Sequence, residues 1–467
     1  MIPPLPSRAA LALLATLFTG GCAVGPAYER PAVPMTANFK EAQGWVPAAP
    51  ADAVERGKWW QLFQDPVLNE LEEAVAVSNQ NIAAAVAAYQ QARAVVGQQR
   101  ATLFPSVVLD GGVDRSGGRS SSSSSAGNRG TSYQASIGAS WEVDVWGRLR
   151  EAVNNASAGA EASAADIATA RLSAQGELAV DYLTLRQLDA QIALLREAIE
   201  GYGRVLQINQ NRYDAGVAAR TDVLQAQTQL ANTQAEEAGL VRQRAQLEHA
   251  IAVLIGKPPA EFSLAPQPWQ VTVPAVPAGM PSTLLQRRPD VAAAERRVAA
   301  ANAQIGIARA AYFPSLALNA SYGSTVSSVA ELFAASSSLW ALGLSTAQTV
   351  FNAGATRERV AGAEALREQT IARYRQTVLT AFQDVEDALS AAQVLARQQE
   401  FRRQASQSAD LVETQQLNRY RAGQIGYTDV VTAQVTALNA RRALVQVQAD
   451  RQTSAVALLQ ALGGSWD

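Results

Sequence analysis

RYDAGVAARTDVLQAQ, running from Arg212 to Gln227, returns as RYRAGQIGYTDVVTAQ from Arg419 to Gln434, at a constant offset of 207 residues. Arg212-Tyr213, Ala215-Gly216, Thr221-Asp222-Val223 and Ala226-Gln227 all recur in place. Gly256 and Gly463 keep the same offset, while Phe104-Pro105-Ser106 and Phe313-Pro314-Ser315 stand 209 apart. An offset held over so many positions marks a duplicated unit of about 200 residues, and a duplication fixes the architecture before any single motif is read.

Helices fill most of each copy. No proline interrupts the chain from about Arg148 to Arg212. There, Leu185, Leu188, Ile192, Leu195, Ile199, Tyr202 and Leu206 step alternately by three and four, a heptad stripe that predicts coiled-coil packing. At 1.5 Å per residue, such a helix reaches roughly 90–100 Å. Gly216 predicts its C-terminal stop, and Thr221-Asp222 predicts an N-capped return helix to about Leu254, the cap being worth about 1 kcal/mol. The second copy predicts the same hairpin: Arg357 to Tyr420, a turn at Gly423, then Thr428 to Leu462.

Behind Phe104-Pro105 the hydrophobic period shifts from 3.6 to 2. Val107, Leu109 and Val113 alternate with Ser106, Asp110 and Asp114. Tyr133, Ala135, Ile137, Ala139, Trp141 and Val143 alternate with Ser132, Gln134, Ser136, Ser140, Glu142 and Asp144. Leu316, Leu318 and Tyr322, then Trp340, Leu342 and Leu344, repeat the pattern in the second copy. Strands of about ten residues, apolar on one face and polar on the other, predict a transmembrane barrel with Asp110, Asp114, Glu142 and Asp144 facing its lumen. The Gly/Ser stretch from Ser116 to Gly130 reads as an exposed loop. Four strands cannot close a barrel, and open edges are not tolerated in lipid, so several copies must share one.

The composition narrows the chemistry. A formal net charge of −2 argues against nucleic acid as a partner. One His and one Cys leave histidine-rich metal sites and Ser-His-Asp triads without enough partners, and no disulfide can form within the chain. His249 reads as an ordinary helix residue. The inward carboxylates have no acid/base partner in a distinct environment, so no enzyme activity and no cofactor are expected. Arg8, the apolar run Ala9 to Phe18 and Thr19-Gly20-Gly21-Cys22 read as a secretory signal; the segment resembles a bacterial lipoprotein signal cut before Cys22, the alternative being an ordinary signal cut nearby with an unmodified Cys. Pro289 and Asp290 behind Arg287-Arg288 read as the first turn of a helix, and Trp59-Trp60 as packing residues.

Taken together, Cys22 with Gly25-Pro26-x-Tyr28, Trp59-Trp60-x-x-Phe63-x-Asp65-Pro66-x-Leu68, Asp181-Tyr182 with Leu188-Asp189, Arg287-Arg288-Pro289-Asp290-Val291 and the two Tyr-x-Ala-Gly turns carry a resemblance. The chain resembles the outer-membrane factors, the TolC-like exit ducts of tripartite efflux and secretion systems, in their lipid-anchored subclass. The resemblance implies a mixed α and β membrane protein and a homotrimer. Its 12-stranded outer-membrane β-barrel, four strands per chain, continues as a long periplasmic α-helical barrel with an equatorial domain. It implies acylation of Cys22, contact with outer-membrane lipid, and docking to a periplasmic adaptor and an inner-membrane pump of the RND or a similar class. By position it implies that Asp429 narrows the periplasmic entrance, with Tyr420 on the preceding turn and Asp222 as the first-copy counterpart; three copies would form an anionic constriction favouring cations. Gly216 and Gly423 are implied as adaptor-docking tip turns. Ile425 and Thr432 stand where some relatives carry a locking Arg and a second Asp, which implies a looser gate.

The resulting division is a signal peptide at 1–21, a lipid-anchored extended segment at 22–64, and a first repeat at 65–256 with strands near 105–115 and 131–144. A Pro-rich linker at 257–288 precedes a second repeat at 289–467 with strands near 314–324 and 338–350. The expected function is a passive efflux duct; a type I secretion duct and a non-transporting coiled-coil lipoprotein are the competing readings.

Overall fold

Asp65 and Pro66 start the first long helix. The Asp65 carboxylate accepts from the N–H groups of Val67 at 2.9 Å and Leu68 at 3.1 Å, while Pro66 supplies a first position that needs no donor. The computed structural model describes residues 24–33, 39–41, 58–117, 130–269, 271–274, 288–332 and 334–464. The signal segment, Cys22, Arg287, most of the Gly/Ser loop and part of the linker lie outside these residues. Among those described, helices α1 (Pro66–Ser78) and α2 (Gln80–Ala101) lead into strands β1 (Ser106–Ser116) and β2 (Gly130–Glu142). Helices α3 (Arg148–Asp214) and α4 (Arg220–Leu254) form the first hairpin. Then follow α5 (Pro289–Ala310), β3 (Ser315–Val326), β4 (Ser338–Ala347) and the second hairpin, α6 (Ala355–Arg421) and α7 (Tyr427–Ala461). Both helices of the second hairpin start and end 207 residues after those of the first.

The described parts of Met1–Ala32, Ala88–Ala164 and Ala293–Tyr374 form one compact unit, and those of Val33–Ala87, Ala165–Ala292 and Arg375–Asp467 form another. The first unit holds an antiparallel sheet in the order β1-β2-β3-β4. Its register aligns Leu109, Ile137, Tyr322 and Trp340 in one row and Val107, Ala139, Ala320 and Leu342 in another. These belong to one face, which is largely exposed; Leu109 is 81% and Trp340 79% accessible. The opposite face carries Asp110, Ser136 and Gly323, then Ser140 and Asn319. Gly323 has no room for a side chain, because a Cβ there would fall 2.6 Å from the Ala135 carbonyl oxygen. Among the described residues, β1 and β4 are the open edges of the sheet.

At the helix-connected end of the sheet, Trp141 donates its indole N–H to the Leu103 carbonyl at 3.0 Å, and Trp146 donates to that of Pro314 at 2.8 Å while stacking on Phe313. The expected strands overran here: β2 stops at Glu142 and β4 at Ala347 rather than near 144 and 350. Asp144 accepts from the backbone of Leu149 and Arg150 at the start of α3, and Glu142 pairs with Arg148 through two hydrogen bonds. Asp144 thus lies past the end of β2, which corrects its expected place in the strand, whereas Glu142 ends β2 on the face of Ser140 and Asp110 and Asp114 lie on the polar face.

The second unit is built on a core of Trp59, Trp60, Phe63, Leu68, Tyr182, Leu185 and Ile251. Tyr182 donates to Asp65 at 2.7 Å and accepts from Arg186 at 3.0 Å. Arg186 then reaches Asp189 at 3.1 Å, which also takes a 2.6 Å bond from Arg244. This buried chain of hydrogen bonds explains why Asp65, Tyr182 and Asp189 stood out in the sequence. Glu72 on α1 is fully buried with neither carboxylate oxygen bonded, and burial pushes its pKa up to about 9. The heptad stripe of α3 does not meet a single partner: Leu188, Ile192 and Leu195 pack with both Leu240 of α4 and Leu438 of α7.

Candidate functional site

The two hairpin tips close by the same backbone device. Gly216 and Gly423 take φ of 74° and 71°, a left-handed conformation that costs a side-chain-bearing residue about 1–2 kcal/mol. Val217 N–H donates to Arg212 C=O and Gln424 N–H to Arg419 C=O, each at 2.9 Å; the glycine N–H groups reach Tyr213 and Tyr420. This is a Schellman closure, and it satisfies carbonyls the helix end would leave open.

The return helices begin one residue earlier than expected. Ala219 and Gly426 hold the cap positions of α4 and α7, and no side chain accepts a cap hydrogen bond at either. The expected capping by Thr221 and Thr428 is therefore overturned: both lie inside the first turn, and the Thr428 hydroxyl donates to Gln225 at 3.2 Å. Asp222 and Asp429 occupy the third helical position, where a carboxylate complements the positive end of the helix dipole.

Around these turns the two copies diverge. Tyr420 is 7% exposed, whereas Tyr213 is 39% exposed. The Tyr420 hydroxyl donates to Asn209 Oδ1 at 2.7 Å, and the Arg212 guanidinium lies 5.0 Å from the centre of the Tyr420 ring. Tyr427 packs 5.6 Å from that ring, with Ala226 and Val430 completing a buried cluster. Burial, then the nearby Tyr420, Tyr202 and Asp222, push Tyr427 up to about 12. The Tyr427 hydroxyl and the Asn209 amide nitrogen are buried without partners. Ile425 packs into the cluster, and Thr432 bonds its own helix at the Thr428 carbonyl.

Asp429 is exposed and Asp222 half-buried. Asp429 lines an open groove of about 270 Å³ with Ala409, Val412, Gln416, Thr432 and Ala433. A second cleft of about 490 Å³ between α4 and α7 is uncharged, lined by Thr221, Leu224, Gln225, Thr428, Val431 and Thr432. Asn209, Gln225 and Tyr427 escaped the sequence reading, in which Arg212 figures only as part of the repeat. An amide one helical turn before each tyrosine, Asn209 before Tyr213 and Gln416 before Tyr420, was the available signal. Cys22 lies outside the described residues.

The profile of the family described as "Outer membrane efflux protein" matches residues 71–257 and 280–464. The chain belongs to the outer membrane efflux protein family. It is 32% identical to the Toluene efflux pump outer membrane protein TtgC of Pseudomonas putida, over 98% of this chain and 96% of that one. It is also 32% identical to the Pyoverdine export outer membrane protein OpmQ of Pseudomonas aeruginosa, over 97% and 96%. The solved outer-membrane channel OprN superposes with a TM-score of 0.88 at 29% identity, covering 95% of this chain and all of that one. As an outer membrane efflux protein, the chain is a channel subunit of the outer membrane, with a four-stranded sheet per chain and paired helical hairpins. The family match falls on both copies of the repeat, and the role it carries is transport.

Proposed function

We propose that this outer membrane efflux protein is the exit duct of a tripartite efflux system, three copies closing one 12-stranded barrel above a periplasmic helical tunnel. The observation that carries this reading is the sheet itself: four strands, two open edges, one exposed apolar face and one polar face. A sheet of that kind is stable in lipid only when other copies complete it. The hairpin tips dock a periplasmic adaptor, and through it an inner-membrane pump of the RND or a similar class. The relatives named for toluene and for pyoverdine are equally similar to this chain, so the duct passes small molecules that the pump selects.

Cys22 is the acylated residue that anchors the chain. Val24 donates its N–H to the Trp146 carbonyl at 3.4 Å, beside the Trp146–Phe313 stack. Asp429 is the gate carboxylate: ringed three times at the tips, it would attract cations and narrow the entrance.

Reconstitution of the full-length protein in planar bilayers tests this. Ion currents from a trimer are expected, with Asp429→Ala raising conductance about two-fold or more and weakening block by multivalent cations added on the periplasmic side. A trimer that passes no current would overturn the duct; currents indifferent to Asp429→Ala would remove that residue from the gate.

A further inference from the structure

The apolar face of the sheet steps down in side-chain size toward its loop end. The row Leu109, Ile137, Tyr322 and Trp340 is large and exposed throughout. Two residues further along each strand, on the same face, the row is Gly111, Ala135, Ser324 and Ser338. Four small residues beside four large ones leave a shelf about one side chain deep.

The connection from β3 to β4 arches back over this shelf. Two short turns shape it, Val329–Glu331 and Ala335–Ser337, and the Ser337 hydroxyl lies 2.8 Å from the carbonyls of both Glu331 and Ala334. The Ser324 hydroxyl donates to the Leu332 carbonyl, which ties the arch to the sheet and buries Ser324. Shelf and arch enclose a cavity of about 310 Å³, walled by Leu109, Ala135, Ile137, Tyr322, Leu332 and Ala334. Among the described residues that line it, none is charged.

Such a slot suits a narrow, flexible, apolar filler. At about 30 Å³ for each water-sized group, it holds roughly ten methylenes. The slot is continuous with the face that meets lipid. The helices leave the sheet at the opposite end, so the slot lies at the extracellular end, level with the outer leaflet. In the outer membrane that leaflet is built of lipid A, a phosphorylated glucosamine carrying several acyl chains. Arg115 adds charge complementarity. It is exposed on the same face of β1, four residues beyond Gly111 and so about 13 Å nearer the loop end, at headgroup depth. A guanidinium there can grip a phosphate through two parallel hydrogen bonds. Arg115 is also the counterpart of Ser324, 209 residues earlier, so one copy of the repeat supplies the cation and the other the slot.

We propose that the slot beneath the β3–β4 arch receives one acyl chain of lipid A, with a phosphate of its sugar held at Arg115. This rests on the reading that the apolar face meets lipid in a barrel shared by several copies. Pairing with other copies uses the edges of the sheet and leaves this face open.

The test uses the full-length protein in cells, with the photo-crosslinking residue benzoylphenylalanine in place of Leu332 or, as a control, of Ser321 on the polar face. Illumination is expected to give a lipid A adduct, identified by mass, at 332 and none at 321. Ala135→Leu or Ser338→Val, which fill the shelf from different strands, should each cut the adduct at least five-fold. For purified trimers, Arg115→Ala should raise the Kd for lipid A three- to ten-fold, and removing the lipid's phosphates should abolish that difference. A phospholipid adduct in place of lipid A, or an Arg115 effect that survives dephosphorylation, would overturn the choice of lipid. A trimer that conducts ions yet gives no lipid adduct at 332, or whose adduct is indifferent to both shelf-filling changes, would overturn the slot and leave the duct standing. A trimer that gives the adduct but passes no current would leave the slot standing and overturn the duct.

Discussion

The two return helices have the same length and the same turn before them, yet α7 buries thirteen residues within the chain and α4 only seven. Val223 and Val430, Ala226 and Ala433 are buried in both; Gln434 and Gln452 are buried only in α7. The tips show the same inequality, with Tyr420 packed and its twin Tyr213 exposed. The bases reverse it: the first hairpin holds the buried Arg186–Asp189–Arg244 network, whose images include Gln393 and Ala396. Duplication therefore preserved the backbone while sharing out the roles. The first hairpin is anchored at its base, and the second is packed along its return helix and at its tip.

The strongest way to break this contrast is at the base. Asp189→Ala leaves two arginines with side chains that are largely buried and lacking their shared carboxylate. Removing one member of a buried ionic network costs about 3–5 kcal/mol. Ala396→Gly, its counterpart, sits on an exposed helix face and should cost no more than about 1 kcal/mol. Denaturant unfolding of the two variants gives both numbers, and equal losses would mean that the base of the first hairpin is not specially anchored.

The same region makes a pH-dependent prediction. Glu72 is held neutral by burial, with a folded pKa near 9 against an ordinary value of 4.5. Between these values the unfolded chain has lost the proton and the folded chain keeps it, so Glu72 lowers stability as pH rises. Below about 4.5 both states are protonated and the effect vanishes. The slope is about 1.4 kcal/mol per pH unit at most, so the gap between Glu72→Gln and the parent should shift in the variant's favour by about 2–3 kcal/mol from about pH 6 to about pH 8. Melting curves at those two pH values decide it; parallel shifts would mean that Glu72 ionises normally in the fold.

Much of this is legible in the sequence. The repeat offset located both hairpins, because glycine at a left-handed turn is a local requirement that sequence states directly. The period-two strands were readable because lipid and lumen impose opposite polarity on alternate residues. What could not be read was which copy of a shared motif is buried. Tyr213 and Tyr420 share their flanking Asn-Arg and Ala-Gly residues and differ nearby at Asp214 and Arg421, neither of which states burial; the packing of α6 against α3 does. The misplaced caps have a similar origin: Thr-Asp is a strong start signal, but the tight Gly turn lets the helix begin at Arg220 and Tyr427, one residue ahead of the threonines. Asp144 fitted the strand alternation and is instead taken by the start of α3, a local competition that periodicity cannot register.

The smallest effect tests the tip contrast most directly. Tyr420→Phe removes a hydroxyl bonded to Asn209, a residue that is fully buried and whose amide nitrogen already lacks a partner. The substitution leaves both polar atoms of Asn209 unsatisfied, which costs about 1–2 kcal/mol. Tyr213→Phe removes the equivalent hydroxyl of the first copy, and Gln416, the image of Asn209, is only half-buried and accepts from Arg419 at 3.5 Å. Tyr213 itself is 39% exposed, so water can replace the hydroxyl and the cost should stay under about 0.5 kcal/mol. Hydrogen exchange of the tip amides reads both changes locally, without requiring the whole protein to unfold. Faster exchange in Tyr420→Phe alone is expected. Equal exchange in the two variants would show that burial of Tyr420 does not set the tip's stability, and the inequality between the copies would then be confined to the base and the return helices.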